Sequence, residues 1–347
     1  MGTGQVLGHE VTQTALREAA VAGLQKEAGR GSGLRALATN QIAGPLAALI
    51  VAVVVFSVGT DRFLSPGNFS LIAQQSVVVG TLALGQTLII LTAGIDLANG
   101  AIMVLGSVVI GKYALDGNPV VALLLGVVVC MLVGAVNGSL VARAGLPPFI
   151  VTLGVLTIVT AASRLYTDSA SYPINDGLLT VLASGPRIGG FTLTFGVLLW
   201  VLLTLALGYA LSQTAWGVRV YAVGDSPAAA ALSGIKVKRV LLGVYVVASV
   251  IYAFASWQAL GRTPTADPSG YSTANLDSIT AVVIGGTSLF GGRGGVHGTL
   301  IGTLIVVVLQ NGLTQAGIDS LYQQVATGAL VIVAVLVDRV VRRRQTR

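Results

Sequence analysis

The sequence predicts an all-α polytopic membrane protein: about ten transmembrane helices with glycine-rich breaks, both chain ends lying in the cytoplasm. Three observations lead there. Only 10% of the 347 residues are charged and 54% are hydrophobic, against about 25% charged in a soluble domain. Ten apolar runs alternate with short polar turns, and at about 20 residues per span they use up nearly the whole chain. The basic residues gather near the two ends and in alternate connections, as short loops retained in the cytoplasm do.

Residues 1–40 are polar and of mixed charge, and read as a cytoplasmic tail in which 10–28 can lie as a surface helix. No convincing signal-peptidase site follows the first apolar run, so 42–59 reads as a retained span. The further runs are 69–92, 97–113, 120–142, 149–166, 191–211, 240–260, 279–290, 296–316 and 322–337, within a permease-like domain of 41–341 followed by a basic tail, 342–347. Turn signals separate them: Pro66-Gly67-Asn68, Asp116-Gly117-Asn118-Pro119 and Thr263-Pro264, with Pro147-Pro148 suiting the first turn of the fifth helix. The run 279–290 is the shortest, about 18 Å of helix, and reads as a half-helix, so the number of crossings lies between eight and ten. Glycines within spans, such as Gly126, Gly134, Gly298 and Gly302, are expected to let helices approach closely.

The charges sort accordingly. Connections assigned inside carry Arg143, Arg219, Lys236, Lys238, Arg239 and Arg293, and both tails are basic. Those assigned outside carry Arg62, Lys112, Arg164, Arg187 and Arg262, accompanied by aspartates. The net charge of +7 is therefore a topology signal, and with no aromatic interleaving or base-reading motif it does not indicate nucleic acid. The single cysteine, Cys130, reads as a packed core residue, and His9 and His297 are too far apart for a local metal motif. No metal, cofactor or catalytic group is expected.

Three segments bear on mechanism. Asp96 is the one formal charge between Arg62 and Lys112, and an intramembrane carboxylate is a functional candidate. It is read first as the N-cap of the following helix, with Asn99 beside it, and a direct substrate or ion contact is the alternative. Residues 214–238 form a coupling segment on the inner side: Ser226-Pro227 starts a short alanine-rich helix, Gly234 ends it, and Lys236 and Lys238 lie near its negative pole. Last, 285–295 is a glycine-rich break after an apolar half-helix, and irregular backbone at membrane depth is a pointer to a transport path. Gly285, Gly286, Thr287 and Ser288 are its candidate path residues. Gly106 to Lys112 mimics a phosphate loop, but Tyr113 stands at the Ser/Thr position and the stretch lies inside a span, so it does not bind ATP.

The stretches Thr92 to Leu97, Pro147 to Gly154, Val223 to Ile235 with its Ala228-Ala229 and Leu232-Ser233-Gly234-Ile235, Ala281 to Leu289 with Gly291-Gly292, and Asn311-Gly312 occur in one order. On these motifs the chain resembles the permease subunits of bacterial ABC importers for monosaccharides, the ribose, xylose, arabinose and galactose group, over residues 45–338. The resemblance implies a homodimer in the bacterial inner membrane, working with a separate ABC ATPase subunit and an outer-face soluble sugar-binding protein. It implies that Asp225, Ala228, Ala229, Leu232, Gly234 and Ile235 face the ATPase. The chain departs from the usual motifs at Ala98-Asn99-Gly100 and at Ser272 to Asn275. Competing readings are a nucleoside or branched-chain amino-acid ABC permease, and an ion-coupled secondary transporter, which usually places ionisable groups at the midplane.

Overall fold

The computed structural model describes residues 42–60 and 62–345. The expected tail 1–40, with its possible surface helix, its basic residues and His9, lies outside them. Each of the ten apolar runs is a helix. They are α1 (Ala43–Gly59), α2 (Pro66–Leu91), α3 (Asn99–Tyr113), α4 (Pro119–Ala142), α5 (Pro148–Thr167), α7 (Phe195–Gln213), α10 (Val237–Arg262), α11 (Ala274–Ile284), α12 (Val296–Gln315) and α13 (Ser320–Gln345). Between them lie the one-turn helix α6 (Gly177–Thr180), α8 (Ala215–Asp225) and α9 (Pro227–Leu232), and four two-residue strands, β1 (Tyr172–Pro173), β2 (Arg187–Ile188), β3 (Phe191–Thr192) and β4 (Thr265–Ala266). Among the described residues, six helices are long and apolar enough to cross a membrane by length and composition: α2, α4, α5, α7, α10 and α12.

Local chemistry sets the ends. Ser65, Asn118 and Thr194 cap α2, α4 and α7 by accepting backbone N–H groups, and prolines occupy the first turns of α2, α4 and α5. Three helices differ from expectation by four residues or more at an end, α7 because Phe191 and Thr192 pair in β3 and helix begins only at Phe195. Helix α11 starts five residues early, at Ala274, and stops at Ile284, because the chain turns through a positive φ at Gly286. Helix α13 continues through Gln345, so the basic tail begins as helix rather than as a separate segment.

From Pro45 onward the chain is one compact unit, with α2 at its centre: nineteen of its residues are buried, Val78, Leu82, Leu84 and Leu88 among them. Helix α10 packs against α2 and α4 and buries Tyr245 and Tyr252. Helices α4 and α5 instead present Leu124, Leu132, Val136, Ile150 and Ile158 outward, the pattern of helices bordering lipid.

The connections fall into two sets. Ser70 at the start of α2 exchanges hydrogen bonds with Thr192, β1 pairs with β4, and Lys112 Nζ donates to Tyr166 O. Gly59 and Thr60 share a cleft with Gln315 and Ala316. The first, third, fifth, seventh and ninth connections between the ten helices therefore touch one another. In the other set Gly292 N donates to Leu91 O, and Thr152 on α5 donates to Ile95 O.

Close approach is built from small residues. A Cβ on Gly298 or Gly302 would strike the Gly285 or Ala281 carbonyl of α11, and one on Gly134 would strike Ser249 of α10. Cys130 is buried with its thiol directed at Ile102 O, 3.4 Å away. Replacing Gly302 by Val forces a side chain against backbone, so the solubilised protein should lose about 1–3 kcal/mol or more of stability. Gly154→Val, at a position with open space around it, should leave the melting temperature unchanged. Equal thermal unfolding curves for the two variants would contradict this packing.

Candidate functional site

Between Leu91 and Asn99 the chain is not helical, although Thr92, Gly94, Asp96 and Ala98 are buried and Ile95 and Leu97 half-buried. Buried peptide groups there need protein partners, and several have them. Ala93 N and Gly94 N donate back to Ile90 O and Ile89 O. Ile95 O accepts from Thr152 Oγ1 of α5 at 3.0 Å, and Leu97 O from Asn275 Nδ2 of α11 at 3.2 Å. The Gln86 amide of α2, oriented by its partners, accepts the Asp96 N–H at 3.2 Å and donates to Asp96 O at 3.0 Å.

The Asp96 side chain closes the same segment. Its carboxylate accepts Ala98 N–H at 2.8 Å and the Tyr252 hydroxyl of α10 at 3.3 Å. This corrects the N-cap reading: α3 starts at Asn99 with Ala98 in the cap position and no side-chain cap bond. The carboxylate instead reaches two residues along the chain, a turn that Asp makes readily. Asn99 is fully buried, and its Nδ2 donates to Ser278 Oγ at 2.7 Å, which in turn donates to Asn275 O at 2.8 Å.

Helices α3 and α11 thus start side by side, in the interior. Asn275 N lies 3.2 Å from where a Cβ on Gly100 would sit. The two stretches that depart from the expected motifs, 98–100 and 272–275, meet at this junction. The early start of α11 also brings in Asp277, whose carboxylate accepts from Gln310 Nε2 and Thr273 Oγ1, each at 3.3 Å.

The glycine-rich break, 285–295, is a compact loop. Gly286, Gly291, Gly292 and Gly294 all have positive φ, which side chains other than glycine adopt at a cost. Thr287 and Ser288 are buried, and their hydroxyls accept Gly295 N–H and Phe290 N–H. Both groups serve the loop's own unpaired donors, where the sequence had suggested groups lining a path.

The loop sits backbone to backbone on two other segments. Gly292 N donates to Leu91 O at 3.0 Å, Tyr221 OH of α8 donates to Gly294 O at 2.9 Å, and a Cβ on Gly224 would strike Leu91 O. Asp225 follows Gly224 and ends α8; then Ser226 caps α9 by accepting Ala229 N–H at 3.2 Å. Gly234, at φ +81°, lets Ile235 N and Gly234 N bond Ala230 O and Ala231 O, each at 3.0 Å, a Schellman end that glycine favours. Ala228, Ala229 and Leu232 lie on α9, and Leu232 is 91% exposed.

The structure therefore brings the coupling segment, the glycine loop and the start of the 92–98 break into one node. Asp96 and Asn99 lie beyond it, with α3. Gln86, Tyr221, Tyr252 and Ser278 were not singled out from sequence, and Asn275 only as part of a departing stretch; the distant partner of each is what marks it.

Two measurements follow. Gln86→Leu orphans both polar groups of the Asp96 peptide, at about 1–3 kcal/mol each, and should lower the folded yield and melting temperature in detergent. Asp96→Asn keeps an acceptor for Ala98 N–H and should cost little, whereas Asp96→Leu should resemble Gln86→Leu. Loss of transport by an Asp96→Asn protein of normal yield would instead point to a direct contact with the cargo.

The comparisons agree with this architecture. Residues 68–335 match the family model described as branched-chain amino acid transport system / permease component. The chain is 43% identical to the fructose import permease of Rhizobium meliloti, over 88% of each chain. It is 39% identical to the ribose import permease of Bacillus subtilis, over 85% of this chain and 92% of that one. Against the D-allose transport system permease of Escherichia coli K12 the identity is 34%, over 85% and 90%. No solved structure matches the chain.

Proposed function

Because the chain belongs to this family of import-system permeases, we propose that it is the membrane subunit of an ATP-binding cassette importer for a monosaccharide. One observation carries the cargo class: relatives matched over most of both chains are named for fructose, ribose and allose. The family's description names amino acids, whereas these relatives are named for sugars. The chain is a transport subunit rather than an enzyme.

On this reading ten helices cross the bacterial plasma membrane, with both ends in the cytoplasm, and two copies of the chain assemble. The grouping of odd-numbered connections supports the count, since each intervening helix then leads from one set of connections to the other. Helices α1, α3, α11 and α13 then cross as shorter or broken elements. A soluble sugar-binding protein delivers cargo to the outer face, and a separate ABC ATPase docks on α9 through Asp225, Ala228, Ala229, Leu232, Gly234 and Ile235. The small, exposed face of α9 supports that docking, as does its direct backbone link to the node. Asp96, Asn99 and the Gly285–Ser288 turn border the path.

In vesicles the permease with its ATPase and binding protein should take up one of these sugars only with internal ATP; uptake by the permease alone, driven by an ion gradient, would sink the reading. Gly234→Pro forces φ to about −65° where +81° is needed. It should abolish ATP-driven uptake while membrane insertion and complex size stay normal, and wild-type uptake would remove α9 from the coupling role. Gly286→Val should likewise give an assembled but inactive complex, and full activity would detach the turn from the path.

A further inference from the structure

A cavity of about 140 Å³ opens beside the junction of α3 and α11, on the side of the odd-numbered connections. Gly100 and Asn275 line its floor; Thr160 and Arg164 of α5 form one wall, and the loop residues Tyr271 and Ser272 the other. A space of this size is on the scale of one small polar molecule such as a single sugar ring.

The lining is the right kind. Thr160, Arg164, Tyr271 and Ser272 are among its lining residues, Thr160 and Tyr271 half-buried and the other two exposed, and their side chains make no hydrogen bond with any described residue. A few such donors beside apolar surface is how small-molecule sites obtain orientation. Val104 and Leu156 supply that apolar surface. The loop wall is preformed: β4 pairs with β1 just before it, Ser269 N donates to Asp267 Oδ1 at 2.8 Å, and Ala274 N to Tyr271 O at 3.1 Å. Tyr271 itself is held at φ +55°, a conformation that costs a bulky residue energy and gathers at functional sites.

We propose that this cavity is a weak, transient site for one neutral monosaccharide within each permease copy. Thr160, Arg164, Tyr271 and Ser272 read its hydroxyl pattern and so select among sugars. The site rests on the sugar-importer reading above. It lies ahead of the Asn99–Asn275–Ser278 junction, so cargo reaches it before the broken segment has to move.

The test uses the reconstituted complex and a panel of labelled fructose, ribose and allose. Thr160→Trp fills the cavity, and uptake of the transported sugar should fall about tenfold or more with the complex still of normal size. Thr160→Cys gives a second readout, because the native Cys130 is buried and does not compete for a thiol reagent. Labelling of that thiol by a maleimide should slow about threefold or more in saturating transported sugar, and not in sucrose. Should Thr160→Trp fail to assemble, the labelling decides. Wild-type uptake by an assembled Thr160→Trp complex, or labelling indifferent to sugar, overturns the site and leaves the importer reading standing. A wild-type complex that carries none of the three sugars overturns both.

Discussion

A peptide group that leaves a helix inside a bilayer has no water to turn to, and this chain leaves helix between Leu91 and Asn99. Much of the arrangement follows from that one constraint. The partners come from separate helices: Gln86 on α2, Thr152 on α5, Tyr252 on α10 and Asn275 on α11. Each helix has to lie at a particular depth and rotation for its polar side chain to meet a peptide group or, for Tyr252, the Asp96 carboxylate. An unmet group costs several kcal/mol in hydrocarbon, more than apolar packing between helices in lipid readily returns. The break therefore positions the helices around it as much as they position the break.

The glycine loop obeys the same constraint by a different route. Its donors and carbonyls are met by Leu91 O, the Tyr221 hydroxyl, and Thr287 and Ser288 within the loop. Contacts between backbones leave no rotamers to absorb a displacement. A shift of α8 and α9 is therefore borne by Leu91 and the chain that follows it, or by the loop and α11. On the importer reading this is the property a coupling segment needs, since close-packed elements pass on displacement instead of dissipating it.

Helices were legible in the sequence because their signal is local. The Asn118-Pro119 start of α4 and the Ser226-Pro227 start of α9 each carry their explanation within four residues, and Gly234 marks its own turn. The polar braces were not legible in the same way. Nothing near Gln86 distinguishes it from any polar residue in a span, since its partner is a peptide ten residues on in a segment that doubles back. Asn275 and Asp277 fell outside the expected half-helix, because the apolar pattern begins only after them. Asp96 was found but misassigned by register: the N-cap reading assumed that helix resumes at once, and α3 waits until Asn99.

The same delay explains why a cavity exists where it does. Helix α3 has 15 residues and α11 has 11, about 22 and 16 Å of length, against a hydrocarbon core of about 30 Å. On the ten-crossing reading each therefore leaves part of the thickness to irregular chain: residues 92–98 lead into α3 from one side, and 267–273 into α11 from the other. The helices start at a common level and run apart, so neither fills the space above the other's first turn. Irregular chain packs less regularly than helix, and at this gap the Thr160, Arg164, Tyr271 and Ser272 side chains bond no described residue. A continuous α11 crossing the whole bilayer would occupy that volume and remove Tyr271 and Ser272 from its edge. The break thus creates both the polar junction and the room beside it, from one decision about where two helices begin.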